Sequence, residues 1–254
     1  MDDYGASTYG DRIADIYDSL YSDVPFSGDP VRTASFLRDL SGSGPALELG
    51  IGTGRVALPL RETGVEVHGI DASEAMVAQL RAKPGGADVP VTIGDFSAFS
   101  LQARFRLVYV VFNTFFALPS PEDQVSCFRA VGRHLTDDGV FVMEAFVPDT
   151  SRFDRGQRVS AIEVGTDEIR LEVSRHDPIA QTSNTQHVVI REDGIRLYPV
   201  KIRFAFVAEL DLMARLAGMR LRGRWADWDR SAFSSDSPKH ISVWELDPSA
   251  AGEP

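Results

Sequence analysis

What most constrains this chain is a repeated alternation between residues 46 and 144. Short apolar runs at 46–49, 66–70, 91–93, 105–112 and 139–144 are separated by helix-length segments at 55–63, 73–81 and 121–135. A strand covered on both faces reads as a continuous apolar run, and parallel neighbours need a crossover between them. The pattern therefore predicts an open, doubly wound α/β sheet. The punctuation agrees: Gly64 follows the first crossover helix, Asp71 or Ser73 stands at the cap of the second, and Pro121 sits in the first turn of the third.

The flanks differ. Ile13, Ile16, Tyr17 and Leu20 fall at helical spacing and predict one amphipathic helix over 9–20, ended by the turn residues at 26–30; a second helix is expected over 30–40. After Pro148 the rhythm becomes strand-like at 157–163, 168–176, 185–191 and 196–204. Gly165-Thr166-Asp167 and Glu192-Asp193-Gly194 are turn candidates between these runs. A helix at 207–217 and strands at 220–225 and 240–246 then complete the core. The expected organisation is a helical cap (1–44), a core (45–150), an antiparallel insertion (151–205), a completion of the core (206–247) and a tail (248–254).

Charge and composition narrow the partners. The net charge of −11, with no cluster of basic residues, argues against a nucleic-acid backbone. The longest apolar stretch, 107–118, is interrupted by Asn113 and Thr114 and is too short for a membrane span, and the amino end is acidic where a signal peptide would be basic. Cys127 is the only cysteine, so no disulfide framework is expected. Acidic and Asn residues do not group into a metal site. A soluble cytoplasmic protein is expected, and the edges of the insertion suggest a homodimer through that sheet.

The chemistry is concentrated at strand ends. Gly50, Gly52 and Gly54 lie between a predicted strand and helix, where glycines permit positive φ and let a ligand approach backbone amides at a helix start. Asp71, at the tip of the second strand, is placed to accept both ribose hydroxyls of an adenosine, or to cap the helix that follows. Gly94-Asp95-Phe96 follows the third strand; the carboxylate can accept the exocyclic amine of adenine while Phe96 stacks on the ring. A nicotinamide dehydrogenase shares the first two features. It calls for a longer glycine motif, however, and leaves Asp95 and Phe96 without a role.

Leu47-Glu48-Leu49-Gly50-Ile51-Gly52-Thr53-Gly54, Gly69-Ile70-Asp71-Ala72-Ser73, Gly94-Asp95-Phe96 and Phe112-Asn113-Thr114-Phe115 stand in the order found in class I S-adenosylmethionine-dependent methyltransferases, which the chain resembles over 45–246. The resemblance implies a Rossmann-like seven-stranded sheet with a reversed last strand. It implies S-adenosylmethionine as cofactor, with Glu48 preceding the glycine turn, Gly50 and Gly52 under the methionyl portion, Gly54 closing the turn, Asp71 and Ala72 at the ribose, Met76, Asp95 and Phe96 around the adenine, and Asn113 near the methionyl amine.

The insertion and the Tyr17-Asp18-Ser19-Leu20-Tyr21 stretch look similar to N-methyltransferases that act on nucleotide-linked amino sugars in antibiotic pathways. The expected function is N-methylation of a small-molecule amine. The alternatives are O-methylation of a hydroxylated metabolite, a dehydrogenase, or a module that binds the cofactor without turnover. His187, on an insertion strand, and Tyr17 are the catalytic candidates; Tyr21 and Glu144 are the candidates for holding the acceptor. His68 and His134 fit core positions, His176 and His240 are weaker candidates for a base, and Trp225, Trp228 and Phe233 are candidate acceptor-pocket aromatics.

Overall fold

The computed structural model describes residues 3–21 and 29–249. A seven-stranded sheet is built from β1 (Ala46–Leu49), β2 (Val67–Asp71), β3 (Val91–Ile93), β4 (Phe105–Val110), β5 (Leu135–Phe146), β10 (Met219–Trp225) and β11 (Lys239–Leu246), in the order β10-β11-β5-β4-β1-β2-β3. β11 runs antiparallel to both of its neighbours, while β1–β5 pair in parallel. The apolar runs have the expected cause: β1 is buried along its whole length, and β4 along all but Arg106. The sheet has the doubly wound form and the reversed last strand expected of it.

Helices cover both faces. On one, α6 (Pro121–His134) and α7 (Val207–Leu216) pack over Phe128, Phe141 and Trp244, whose rings meet 5.3–5.8 Å apart. Ser120 caps α6 by accepting from the Asp123 amide (3.1 Å), and Pro121 occupies the first turn. On the other face, α3 (Pro30–Ser41) and α4 (Ala57–Glu62) bury Leu37 and Leu60 against Leu107 and Val142. Strand order reverses between β1 and β4. The carboxyl ends of these two strands therefore diverge into a crevice, the place where a doubly wound sheet binds its ligand.

The second sheet holds β6 (Gln157–Val164), β7 (Glu168–Asp177), β8 (Thr182–Arg191) and β9 (Gly194–Arg203), antiparallel and in sequence order. Both expected turns lie between strands, at 165–167 and 192–193. One face of this sheet, carrying Glu172, Ser174, His176, Ser183 and Thr185, looks over the crevice. The opposite face carries Val159, Val173, Leu197 and Ile195, all well exposed.

Two expectations are corrected in detail, and one open alternative is resolved. The helix over 9–20 is two helices, α1 (Thr8–Ile13) and α2 (Tyr17–Tyr21), because the chain tightens into an i→i+3 turn at Ile16 (2.9 Å to Ile13 O), and Tyr17 and Tyr21 are thereby redirected toward the crevice. β5 starts at Leu135, directly from α6, because a shift in its pairing with β4 absorbs residues 136–139. The second crossover helix, α5 (Glu74–Ala82), is capped by Ser73 and not by Asp71. The turn residues 26–28 and the end of the tail lie outside the described residues. No helix among the described residues is long and apolar enough to cross a membrane.

Arg203 ties the second sheet to the core. Its buried guanidinium pairs with Glu209 of α7 and donates to Gln124 of α6 and to Gln181 (3.2 Å), while Gln124 donates back to the Arg203 carbonyl (2.8 Å). Removing one partner of such a network leaves the other polar groups buried and unpaired. Arg203→Met is expected to cost about 3 kcal/mol or more, read as a fall in the urea midpoint at unchanged slope.

Candidate active site

The site begins where β1 ends. The chain turns through Gly50, Gly52 and Gly54 with φ of +71°, +54° and +77°. A side chain at Gly50 would lie 2.4 Å from Thr114, and one at Gly54 would lie 2.3 Å from Leu80; at Gly52 it would meet nothing within 4 Å. Two of the glycines thus serve close packing, while the middle one leaves an open cradle. The Gly52 amide donates to Asp71 Oδ2 (2.7 Å), and Asp71 Oδ1 accepts from the Ser73 amide (2.8 Å). Ser73 in turn accepts from the Met76 amide (3.2 Å). Asp71 therefore braces the glycine turn and the start of α5 together. Burial raises its pKa, and the nearby carboxylate of Asp11 adds to the shift.

A cavity of about 230 Å³ opens over this turn. Of the residues expected to hold the cofactor, Gly50, Gly52, Asp71, Ala72, Met76, Asp95 and Phe96 line it, together with Tyr17. The cap helices form its other wall through Tyr9 and Gly10, and they are held by polar contacts. Ser73 Oγ donates to Asp11 (2.7 Å), Thr53 Oγ1 donates to Asp18 (2.7 Å), and Lys83 pairs with Asp18 (2.6 Å). Carboxylates, a thioether, a phenyl ring and an open glycine backbone form a donor and acceptor set that fits an adenosyl compound. Glu48 and Gly54 lie behind the lining. Glu48 is buried, accepts from the Tyr109 hydroxyl (2.9 Å), and has its pKa pushed up to about 8 by burial, against the opposing pull of that hydrogen bond and of Arg55.

A larger cavity of about 730 Å³ lies between the strand ends and the second sheet. Phe112, Asn113, Glu144, Phe146 and Trp228 form one side of it, and Glu172, Ser174, His176, Ser183 and Thr185 the other. Aromatic rings separate the two cavities: Tyr17 packs on Tyr21 (4.8 Å), and Tyr21 packs on Phe112 (5.0 Å), with the Tyr21 hydroxyl bonded to that of Tyr9 (2.8 Å). Phe112 and Asn113 both have left-handed backbone, φ +57° and +63°, which for a bulky Phe is a strained conformation of the kind concentrated at functional sites. Arg55 lies over the Phe112 ring at 4.5 Å.

The remaining candidates are placed as follows. Asn113 borders the second cavity, not the first, and its Oδ1 accepts from the Phe146 amide (2.7 Å). Glu144 borders the same cavity, and the amine it holds is the chain's own Lys239 (3.0 Å); it also accepts from the Phe112 amide (3.0 Å) and Trp228 Nε1 (3.3 Å). His187 is half-buried on the inward face of β8, opposite Glu172 of β7 and Tyr198 of β9, two residues from Thr185. Burial lowers its pKa, with Glu172 acting against the shift. His134 is a core residue bonded to the Leu101 amide and the Ala130 carbonyl, and His68 pairs with Glu66. His240 is buried beside Ser242. Trp225 packs on Phe36 and Phe233 lies beneath Arg224, so of the three aromatics considered only Trp228 reaches the cavity. Arg55, Tyr9 and the strained backbone of Phe112 are further residues at the site that the motifs leave unassigned. The position of Arg55, directly after the last glycine of the turn, was the available signal for it.

The Glu48 shift has a measurable consequence. A carboxyl whose folded pKa is raised from 4.5 to about 8 contributes stability that is complete below the unfolded value and is lost as pH rises toward the folded one. Gln resembles the protonated form. Glu48→Gln is therefore expected to raise the melting temperature at pH 8–9 and to match the parent near pH 4.5, as read by thermal scans across that range.

Residues 46–139 match the family described as a methyltransferase domain. The CcbJ methyltransferase from Streptomyces caelestis is 40% identical to this chain, with a TM-score of 0.89 over 96% of this chain and all of that one. The cypemycin N-terminal methyltransferase of a Streptomyces species is 26% identical over 94% of this chain and 98% of its own length. The structure of CalS10, an amino pentose methyltransferase from Micromonospora echinaspora with S-adenosylmethionine bound, superposes with a TM-score of 0.69 at 21% identity, covering 91% of this chain and 97% of that one. With the glycine cradle and its nucleoside-compatible lining in place, this chain belongs to the S-adenosylmethionine-dependent methyltransferases.

Proposed function

We propose that the chain is an N-methyltransferase for a small-molecule amine, of the amino-sugar type found in antibiotic pathways. The observation that carries this reading is the second cavity. It lies behind the Tyr17–Tyr21–Phe112 partition, with aromatic rings on one side and hydroxyl-bearing strands on the other, a combination suited to a ring with one apolar and one hydroxylated face. The names of three similar proteins also point to amine acceptors: the cypemycin N-terminal methyltransferase, the amino pentose methyltransferase CalS10 and the sugar N-methyltransferase KedS8.

In this reading Asp71 takes the ribose hydroxyls beside Ala72. Asp95 takes the adenine amine, with Met76 and Phe96 against the ring, and the backbone of Gly50 and Gly52 passes under the methionyl portion, with Gly54 closing the turn and Glu48 buried behind it. When bound, S-adenosylmethionine supplies a sulfonium methyl, an electrophile. The work of the chain is to align a neutral amine with it and to exclude water. His187, kept neutral at pH 7 by burial, takes the proton that the amine loses as the new carbon–nitrogen bond forms, and Glu172 opposite steadies the resulting imidazolium. Burial raises the Tyr17 pKa far above the ordinary phenol, so Tyr17 acts as a hydroxyl donor that orients the acceptor and not as a base. Tyr21 and the Glu144–Lys239 pair line the acceptor's approach. A second copy of the chain covers the outward face of the second sheet, where Val159, Val164 and Ile195 are otherwise left in water.

The direct test is transfer of labelled methyl to a panel of amino sugars, amino acids and phenols. Label on an amino-sugar nitrogen is expected, whereas label on phenol oxygens alone would replace the reading with an O-methyltransferase. Because the neutral form of His187 is the active one and its pKa is lowered from 6.5, kcat is expected to be flat above that value and to fall only below it. His187→Gln should remove this acid limb and lower kcat by about a hundredfold. Asp71→Ala is expected to weaken cofactor binding by about 1–3 kcal/mol, measured by calorimetry; unchanged binding would leave Asp71 as a brace of the turn only.

A further inference from the structure

His176 is the most unusual group in the larger cavity. Its ring is stacked between Phe153 (4.5 Å, 11° between planes) and Phe204 (5.1 Å, 13°), and both ring nitrogens are buried without a hydrogen-bond partner. Buried polar atoms normally find partners, and each that does not destabilises the fold by its uncompensated desolvation. Several other side chains carry one such atom, among them Arg106, Asn184 and His240; among the described residues, His176 is the only one of the group that lines either of the two cavities, and the only His with both nitrogens unpaired. The two phenyl rings hold the imidazole plane, so its polar edges are set in direction before any ligand arrives.

Its surroundings are polar in a regular way. Register places Ser183 of β8 opposite His176 of β7, and Thr185 opposite Ser174, with the Ser174 and Thr185 hydroxyls 2.9 Å apart. Across the cavity stand Phe112, Phe146 and Trp228. A neutral imidazole offers one donor and one acceptor, the complement of a hydroxyl group, which is both. We infer that His176 is a specificity-determining residue that hydrogen-bonds ring hydroxyls of the acceptor, with Ser174, Ser183 and Thr185 completing a hydroxyl-reading patch on the inward face of the second sheet. This inference rests on the amine-acceptor reading for the identity of the ligand, but it concerns the hydroxylated part of that ligand and not its nitrogen.

The test separates the two. Protein carrying ¹⁵N-histidine, saturated with S-adenosylhomocysteine, is titrated with methyl 4-amino-4,6-dideoxy-α-D-glucopyranoside and with methyl 6-deoxy-α-D-glucopyranoside, which keeps the ring hydroxyls and has no amine. The ring-nitrogen signals of His176, identified by their loss in His176→Phe, are expected to shift with both sugars. The Phe variant keeps a flat ring between Phe153 and Phe204 and removes both ring nitrogens. It should bind both sugars about tenfold or more weakly, with a melting temperature at or above the parent's, since two unpaired buried nitrogens are gone, and with S-adenosylmethionine affinity unchanged. Failure of both sugars to bind the parent protein, binding that leaves the His176 nitrogens unmoved, or equal affinity in parent and variant would each overturn the inference. Binding of the amino sugar with a His176 shift, but no methyl transfer to it when S-adenosylmethionine replaces S-adenosylhomocysteine in a parallel sample, would instead overturn the N-methyltransferase reading and leave this one standing.

Discussion

The Asp71 carboxylate, accepting from the Gly52 amide on one side and the Ser73 amide on the other, is the contact on which the cofactor end of the site depends. Three left-handed glycines in five residues would otherwise be a floppy turn, because glycine loses the most conformational freedom on ordering. The Ile70 carbonyl accepts from both the Gly50 and Ile51 amides, and Asp71 secures the next residue, so the tip of β2 holds the tip of β1. With the turn fixed, Thr114 can approach Gly50 and Leu80 can approach Gly54, and the cavity acquires its floor. The same oxygens that would meet a ribose are already half engaged by the backbone, which pre-orients them at the cost of some hydrogen-bonding capacity.

The cap is joined to this platform by a different kind of contact. Asp11 and Asp18 reach across to Ser73, Thr53 and Lys83, and Gly10 passes close over Ser73. Beneath these bonds Ile13 and Met76 supply a small apolar cluster that also takes in Val189 and Tyr198 of the second sheet. Cap, core and second sheet thus meet at one place, and Tyr9, Tyr17 and Tyr21 stand there. Burial raises the pKa of all three phenols, so the partition between the cavities stays uncharged across the neutral range.

Much of this was legible in the chain itself. Each parallel strand is a short apolar run between turn residues, so the alternating strand–helix order of the core follows from the chain, while the reversed last strand is what the family resemblance implies. Gly50, Asp71 and Asp95 could be singled out because the ends of neighbouring parallel strands meet in space at intervals set by crossover length. The antiparallel sheet was also visible, since its turns carry Gly165 and Gly194 and its strands alternate. Periodicity does not encode the break in the cap: Ile13, Ile16 and Leu20 satisfy helical spacing whether the chain runs straight or breaks at Ile16, and α1 packs against α5 and β9 only in the broken form.

The sequence by itself determined the parallel strands, their winding and the glycine turn that ends the first of them, because these follow from local apolar patterning and from glycines with no side chain to place. Tertiary structure alone decided which side chains face each other across the crevice. Glu144 finds its cation in Lys239, ninety-five residues away, and Asn113 spends its side-chain oxygen on Phe146. His187 acquires Glu172, and His176 acquires two flanking phenyl rings and no partner for its nitrogens. Such pairings depend on register between strands and on how the second sheet leans over the first, distances that no local pattern encodes.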